Sequence, residues 1–305
     1  MQINRRELIG AGASTLALPR VAFAQAQPRR SKLILLGTKG GPNPSRNRAP
    51  AANLLIVDGK PFLIDCPDGT ARQLVMADVP LSSVGSIFLT HHHSDHMAGL
   101  GAFFLLTWAV GLKTPLTVFG PKPLRKIVAA ELEAGRPDIE YRMREEGRPD
   151  LRRLVRSVEL TRGGAVANIP PVRVSCALVD HYTVPTFAYR FDTPDRSFVF
   201  SGDTRPSQAL IDLARGADVL VHEVMLASAI DRIADANAPE LRAHLVKSHT
   251  TTEELGMVAA AAGVRTVVLS HLVPAFPDLT DAMWTEGVRR HFKGEIIVGR
   301  DLMEI

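Results

Sequence analysis

Four residues able to ligate a metal ion, His91, His93, Asp95 and His96, fall within six positions in the run Thr90-His91-His92-His93-Ser94-Asp95-His96. Neutral imidazole nitrogens and a carboxylate oxygen suit zinc or a similar borderline divalent cation. Grouping so many ionisable side chains without a cation would cost desolvation and, on protonation, like-charge repulsion. The run follows the apolar Ser86-Ile87-Phe88-Leu89, so a strand delivers it into a loop. An affinity tag would be terminal and would lack the embedded aspartate, so the pattern is read as a metal site. Three more candidates lie just past apolar runs: His181 after Val179-Asp180, Asp203 in Ser201-Gly202-Asp203-Thr204, and His271 after Ser270. The carboxyl ends of strands are where open α/β folds gather functional groups.

The elements that must position these residues alternate between two periodicities. Val/Ile/Leu/Phe-rich runs bounded by Gly, Pro or Asp predict strands at 32–36, 53–58, 62–65, 86–90, 116–119, 172–179, 187–192, 197–201, 219–222, 266–270 and 295–298. Val57-Asp58-Gly59-Lys60 reads as a hairpin turn. Helices are expected at 70–77, 97–110, 123–134, 207–215, 251–261 and 281–290, two of them opened by the capping residues Thr251 and Asp281. The Arg/Glu-rich span 131–162 reads as a solvated helix or insertion. The alternation argues one α/β domain, residues 32–305, behind a Gln/Pro/Arg linker at 25–31.

Assembled, His91-x-His93-x-Asp95-His96, His181, the Ser-Gly-Asp-Thr aspartate and Ser270-His271 resemble the metallo-β-lactamase superfamily. More narrowly, they resemble its ribonuclease Z / arylsulfatase / phosphodiesterase branch. Leu36-Gly37-Thr38-Lys39-Gly40-Gly41-Pro42, Ile64-Asp65-Cys66, His222-Glu223 and His249-Thr250-Thr251 point to the same branch. The resemblance covers residues 32–305. It implies a four-layer αββα sandwich with two metals in a cleft at one sheet edge.

By that resemblance His91, His93 and His181 would hold one metal and Asp95, His96 and His271 the other, with Asp203 and a hydroxide as bridges. Two Zn2+ are implied, although His/Asp sites also take Mn2+ or Fe2+. Cations about 3.5–4 Å apart keep a water deprotonated at neutral pH and neutralise charge on the attacked centre. Asp95 would help position that nucleophile. Asp65 would orient a ligand histidine by accepting its other N–H. His249 and Glu223 resemble the pair with which the branch protonates a leaving oxygen, since a carboxylate raises an imidazole's pKa and fixes its tautomer. The competing role has His249 capping the helix that starts near Thr251, with Glu223 in a surface contact. His92, His222, His244 and His291 read as structural or surface residues.

The N-terminus carries its own signal. Arg5-Arg6, a weakly apolar run over 11–18 and Val21-Ala22-Phe23-Ala24 form an export signal of twin-arginine type, cleaved after Ala24. The expected location is therefore periplasmic or secreted. Cleavage would remove three basic residues and one acidic residue, taking the net charge from +4 to +2. That balance lacks the phosphate-contact surplus of a tRNA binder. Tellingly, only 22 positions separate His181 from Asp203. In tRNA-processing members of the branch that interval carries a long Gly/Pro-rich arm, which has no room here. No apolar stretch is long enough to span a bilayer. Two cysteines, Cys66 and Cys176, form no disulfide framework and read as buried thiols.

The expected activity is hydrolysis of a small-molecule phosphodiester or sulfate ester. Lactones or β-lactams are an alternative, because the same nucleophile attacks a carbonyl. An iron-dependent redox enzyme and a non-catalytic metal-binding protein are further readings. Relatives in the branch dimerise, so a homodimer is compatible with the resemblance.

Overall fold

The computed structural model describes residues 30–233 and 239–305. The expected export signal and most of the linker lie outside the described residues, and the first strand begins at Ser31. The first sheet contains β1 (Ser31–Gly37), β2 (Ala52–Val57), β3 (Lys60–Ile64), β4 (Ser86–Phe88), β5 (Leu116–Pro121) and β6 (Val155–Leu160). The second contains β7 (Gly164–Ile169), β8 (Val172–His181), β9 (Val184–Asp192), β10 (Ser197–Phe200), β11 (Val219–Met225), β12 (Thr266–Val273) and β13 (Glu295–Val298). The last strand, β14 (Met303–Glu304), returns to the first sheet beside β1. Apart from β14, spatial order follows chain order in both sheets. Each begins with antiparallel hairpins and turns parallel at its site-bearing end, from β3 onward in one and β10 onward in the other.

Helices α1 (Thr70–Met76), α2 (Ser94–Met97), α3 (Leu100–Ala109), α4 (Leu124–Ala134), α5 (Arg136–Glu146) and α6 (Leu151–Leu154) go with the first sheet. The second has α7 (Gln208–Ala214), α8 (Leu241–Ser248), α9 (Thr252–Ala262) and α10 (Asp281–His291). Strand periodicity sorts the core into three interlayer clusters. Leu33 and Leu35 face the space between the sheets, while Ile34 and Leu36 face the helices. Aromatic side chains fill the intersheet layer, where Phe88 stacks on Phe119 at 4.7 Å and meets Phe191 edge-on at 5.1 Å. Phe103, Phe104 and Trp108 seal one helix layer, and Val258, Trp284 and Val288 the other. The result is the expected αββα sandwich.

The Asp58-Gly59 turn has φ of 48° and 77°, both positive as a two-residue hairpin between β2 and β3 requires. Span 131–162 is largely helical, with the mostly exposed α5 at its centre as expected, but it is tied in more closely than a loose insertion. Ile139 and Leu151 anchor it to the core, and its end forms the edge strand β6. Arginine-rich composition masked these anchors. Strands β7 and β14 and helix α8 were likewise unmarked by periodicity. Cys66 and Cys176 are buried free thiols. Among the described residues no helix is long and apolar enough to cross a membrane.

One glycine locks the scaffold to the metal-ligand loop. Gly99 donates to the Cys66 carbonyl at 3.0 Å, and a Cβ there would lie 2.0 Å from the Pro67 carbonyl oxygen. Gly99→Ala should therefore cost about 1–3 kcal/mol of stability. Denaturant unfolding checks this, and an unchanged midpoint would contradict the close approach.

Candidate metal centre

Every candidate ligand sits where a strand ends or breaks. Leaving β4, the chain is pinned from both sheets: Leu89 N donates to Phe119 O at 2.8 Å, and Thr90 O accepts from Phe187 N at 2.9 Å. The one-turn helix α2 then carries Asp95 and His96. His181 is the last residue of β8, and Asp203 lies just past β10. His271 sits within β12 at a bulge: Glu223 pairs with Ser270 and Val224 with Leu272, leaving His271 unopposed. Its φ of 43° is a strained value for a non-glycine residue, and the bulge re-aims its ring.

The first donor set is His91, His93, His181 and Asp203. His93 Nδ1 lies 3.1 Å from His91 Nε2 and 3.3 Å from His181 Nε2. Each outer ring is oriented from behind. His181 Nδ1 donates to the Ser248 carbonyl at 3.0 Å, so its neutral ring presents a bare Nε2. Thr90 Oγ1 donates to Asp65 and accepts from His91 Nδ1 at 3.0 Å, which likewise leaves His91 Nε2 bare. Burial pushes the pKa of all three imidazoles down, that of His93 to about 4. Three neutral lone pairs thus converge on one point.

The second set is Asp95, His96 and His271. His271 Nε2 is 3.3 Å from both Asp95 Oδ2 and Asp203 Oδ2, and His96 Nε2 is 3.4 Å from Asp203 Oδ1. Asp203 therefore faces both sets. Asp65, itself at a positive φ of 62°, accepts from His96 Nδ1 at 2.9 Å. His96 Nε2 is buried without a hydrogen-bond partner. Burial opposes charge on His96, yet Asp203, Asp65 and Asp95 together hold its pKa well above the ordinary value. Burial would raise the Asp203 carboxyl, but His271 and His96 keep it well below the carboxylate range. This donor set fits two divalent cations: imidazole nitrogens and carboxylates aimed inward, three of the other ring nitrogens held by outer partners, and an unpartnered buried nitrogen at the centre.

His249 and Glu223 are in contact. The His249 Nδ1 to Glu223 Oε1 distance is 3.1 Å, with Glu223 only 2% exposed. Oε1 also accepts from Thr204 N at 2.9 Å and Thr250 N at 3.3 Å. Burial works against protonation of His249, but Glu223, Asp203 and Asp95 raise its pKa to about 9. The capping role falls instead to Thr251, which forms a capping box with Glu254. His249 ends α8 and stacks on His271 at 5.7 Å.

The site opens into a cleft of about 640 Å³, with Lys39, Pro44, Leu241, Leu245 and Phe276 among its walls. His244 also lines it, its ring 6.4 Å from that of His93 and 6.3 Å from that of His181. From sequence His244 reads as structural or surface, with no role at the site. Its signal was hidden because helix α8, which aims it, was itself unmarked. His92 points away and bonds the Pro121 carbonyl at 2.8 Å.

The family model described as anti-Pycsar protein Apyc1 matches residues 31–250. Ribonuclease Z of Mycobacterium avium is 34% identical over 279 residues, covering 90% of this chain and 97% of that protein. Ribonuclease Z of Mycobacterium marinum is 33% identical over 279 residues, with 90% and 98% covered. Among solved structures, the metallo-β-lactamase-fold protein YhfI of Bacillus subtilis aligns with a TM-score of 0.68 at 19% identity, covering 90% of this chain and 98% of that one. The short form of human tRNase Z aligns with a TM-score of 0.63 at 20% identity and the same coverage. Sequence match and shared architecture agree: the chain belongs to the family of that Apyc1 model, within the ribonuclease Z-like, phosphodiesterase-related branch of the metallo-β-lactamase-fold metallohydrolases.

Proposed function

We propose that this chain is an exported dinuclear-zinc hydrolase that cleaves a small-molecule phosphodiester or sulfate ester, with His249 as the proton donor to the leaving oxygen. The observation that carries the reading is the pair of abutting donor sets facing a common Asp203, with the His249–Glu223 pair at their margin. His91, His93 and His181 would hold one cation, Asp95, His96 and His271 the other, and Asp203 both. When bound, two such cations supply Lewis acidity and an activated water at neutral pH. Asp95, held by Gly41 N at 2.8 Å, is placed to orient that water. Glu223 accepts from His249 Nδ1, which leaves Nε2 to donate to an alkoxide or phenoxide as the ester bond breaks.

A cleft of about 640 Å³ matches a small-molecule ligand. Between His181 and Asp203 the chain forms only β9 and β10, joined near Thr193, so no RNA-clamping arm is built there. An RNA substrate is the second reading, favoured by the name of the mycobacterial relatives. Residues 1–24 would direct export through their paired arginines.

The direct test is hydrolysis of an aryl phosphodiester before chelation, after it, and after zinc is restored. Turnover lost on chelation and regained with zinc supports the reading. Cleavage of precursor tRNA without cleavage of small esters would overturn the substrate class. Turnover of lactones alone would favour acyl chemistry.

His93→Ala should empty the site and abolish turnover. His249→Ala should keep the metal and slow esters with poor leaving groups by about 10²–10⁴-fold, with little effect on activated aryl esters. Loss of metal in His249→Ala would remove it from the proton-donor role. Replacing Arg5 and Arg6 with lysine should hold the chain in the cytoplasm, as cell fractionation would reveal; unchanged export would exclude a twin-arginine route.

A further inference from the structure

Behind the metal ligands, between the two sheets, lies a smaller cavity of about 30 Å³, which shares Asp203 and His271 with the cleft and is also walled by His96 and Asp65. Its lining includes Asn53, Phe200, Val221, Glu223 and Ser270. The layer beneath is filled by phenylalanines, but here the side chains shorten and both sheets are bulged. The β1–β2 ladder slips between Leu35 and Gly37, opposite Asn53, and the β11–β12 ladder slips between Glu223 and Val224, opposite Ser270. Strand parity turns Asn53, Glu223 and Ser270 to the same side as the intersheet residues Leu55, Val221 and Val268.

Those three residues share a second property. Asn53 Oδ1, Ser270 Oγ and Glu223 Oε2 are buried without a hydrogen-bond partner, as is Nε2 of His222, which also lines the cavity. Leaving one such atom unsatisfied costs about 1–3 kcal/mol. Two more lining residues carry one, His96 at Nε2 and His271 at Nδ1, but both belong to the metal centre, so the four on Asn53, His222, Glu223 and Ser270 are those that call for another partner. A water needs roughly 10–15 Å³ of such volume and two to four polar partners. A cavity of 30 Å³ with four polar atoms meets that requirement for two waters.

We infer that this cavity is a built hydration site whose two waters bridge Glu223 Oε2 to Asn53 and Ser270, making both of these positioning residues for the proton donor. Glu223 has its other oxygen committed to His249, Thr204 N and Thr250 N. The waters solvate the free oxygen and fix the carboxylate's rotation, so that His249 is held with Nε2 facing the cleft. Neither Asn53 nor Ser270 touches substrate. This role rests on the proton-donor reading of His249; the waters themselves do not.

A high-resolution crystal structure of the full chain tests the site itself. Two ordered waters bonded to Asn53 Oδ1, Ser270 Oγ and Glu223 Oε2 are expected, and a dry cavity overturns the inference. Kinetics test the coupling. Asn53→Leu, which displaces the waters, should slow esters with poor leaving groups by about tenfold, spare activated aryl esters, and add nothing to the loss in His249→Ala. Equal losses on both ester types, or additivity with His249→Ala, overturn the positioning role. If Asn53→Leu fails to fold, Ser270→Ala removes one partner of the same waters with little change in volume, and the same two outcomes apply. Should His249→Ala itself show no dependence on the leaving group, the proton-donor reading fails and the coupling with it, whereas the hydration site is decided by the density alone.

Discussion

Buried lone pairs and buried carboxylates, crowded at one sheet edge, are the constraint on which this architecture turns. Asp65, Asp95 and Asp203 are each no more than 7% exposed, and among the described residues their ion-pair partners are imidazoles alone. Lys39 lines the same cleft, but its ammonium is spent on the Gly40 and Gly41 carbonyls at 2.9 and 2.7 Å. Burial meanwhile strips His91, His93 and His181 of their tendency to protonate. Such a group is costly to hold against desolvation unless a divalent cation balances it.

The scaffold's irregularities follow from that demand. Two rigid sheets bring four separate chain segments to one edge. The ligands themselves lie where regular structure stops: past β4, at the end of β8, past β10, and at the bulge in β12. Outer partners then fix the rings, with Asp65, Thr90 and the Ser248 carbonyl each holding one imidazole nitrogen so that the other faces inward. Positive φ at Asp65 and His271 is strain concentrated at the site and sustained by the packed layers around it.

How much of this could be read from the chain depended on how local each signal was. The His91–His96 run is dense enough to declare itself, and alternating apolar residues marked most strands. His181, Asp203 and His271 are single residues whose meaning came from standing just past such runs. Nothing local distinguished His244, because the helix that aims it shows no clear apolar periodicity. The buried anchors Ile139 and Leu151 were masked by surrounding arginines. Contact between His249 and Glu223 spans 26 positions of sequence and needed the fold. So did the meeting of Asn53 and Ser270 in the walls of one cavity, since each looks like an ordinary strand residue.

Metal stoichiometry measured together with thermal stability, on the protein as purified and after exhaustive chelation, addresses the central claim most directly. Two divalent cations per chain should be found, with a clear fall in Tm on their removal as the buried carboxylates and imidazoles lose their counter-charge. A chain that binds fewer than two cations, or whose Tm is unaffected by chelation, would contradict the account.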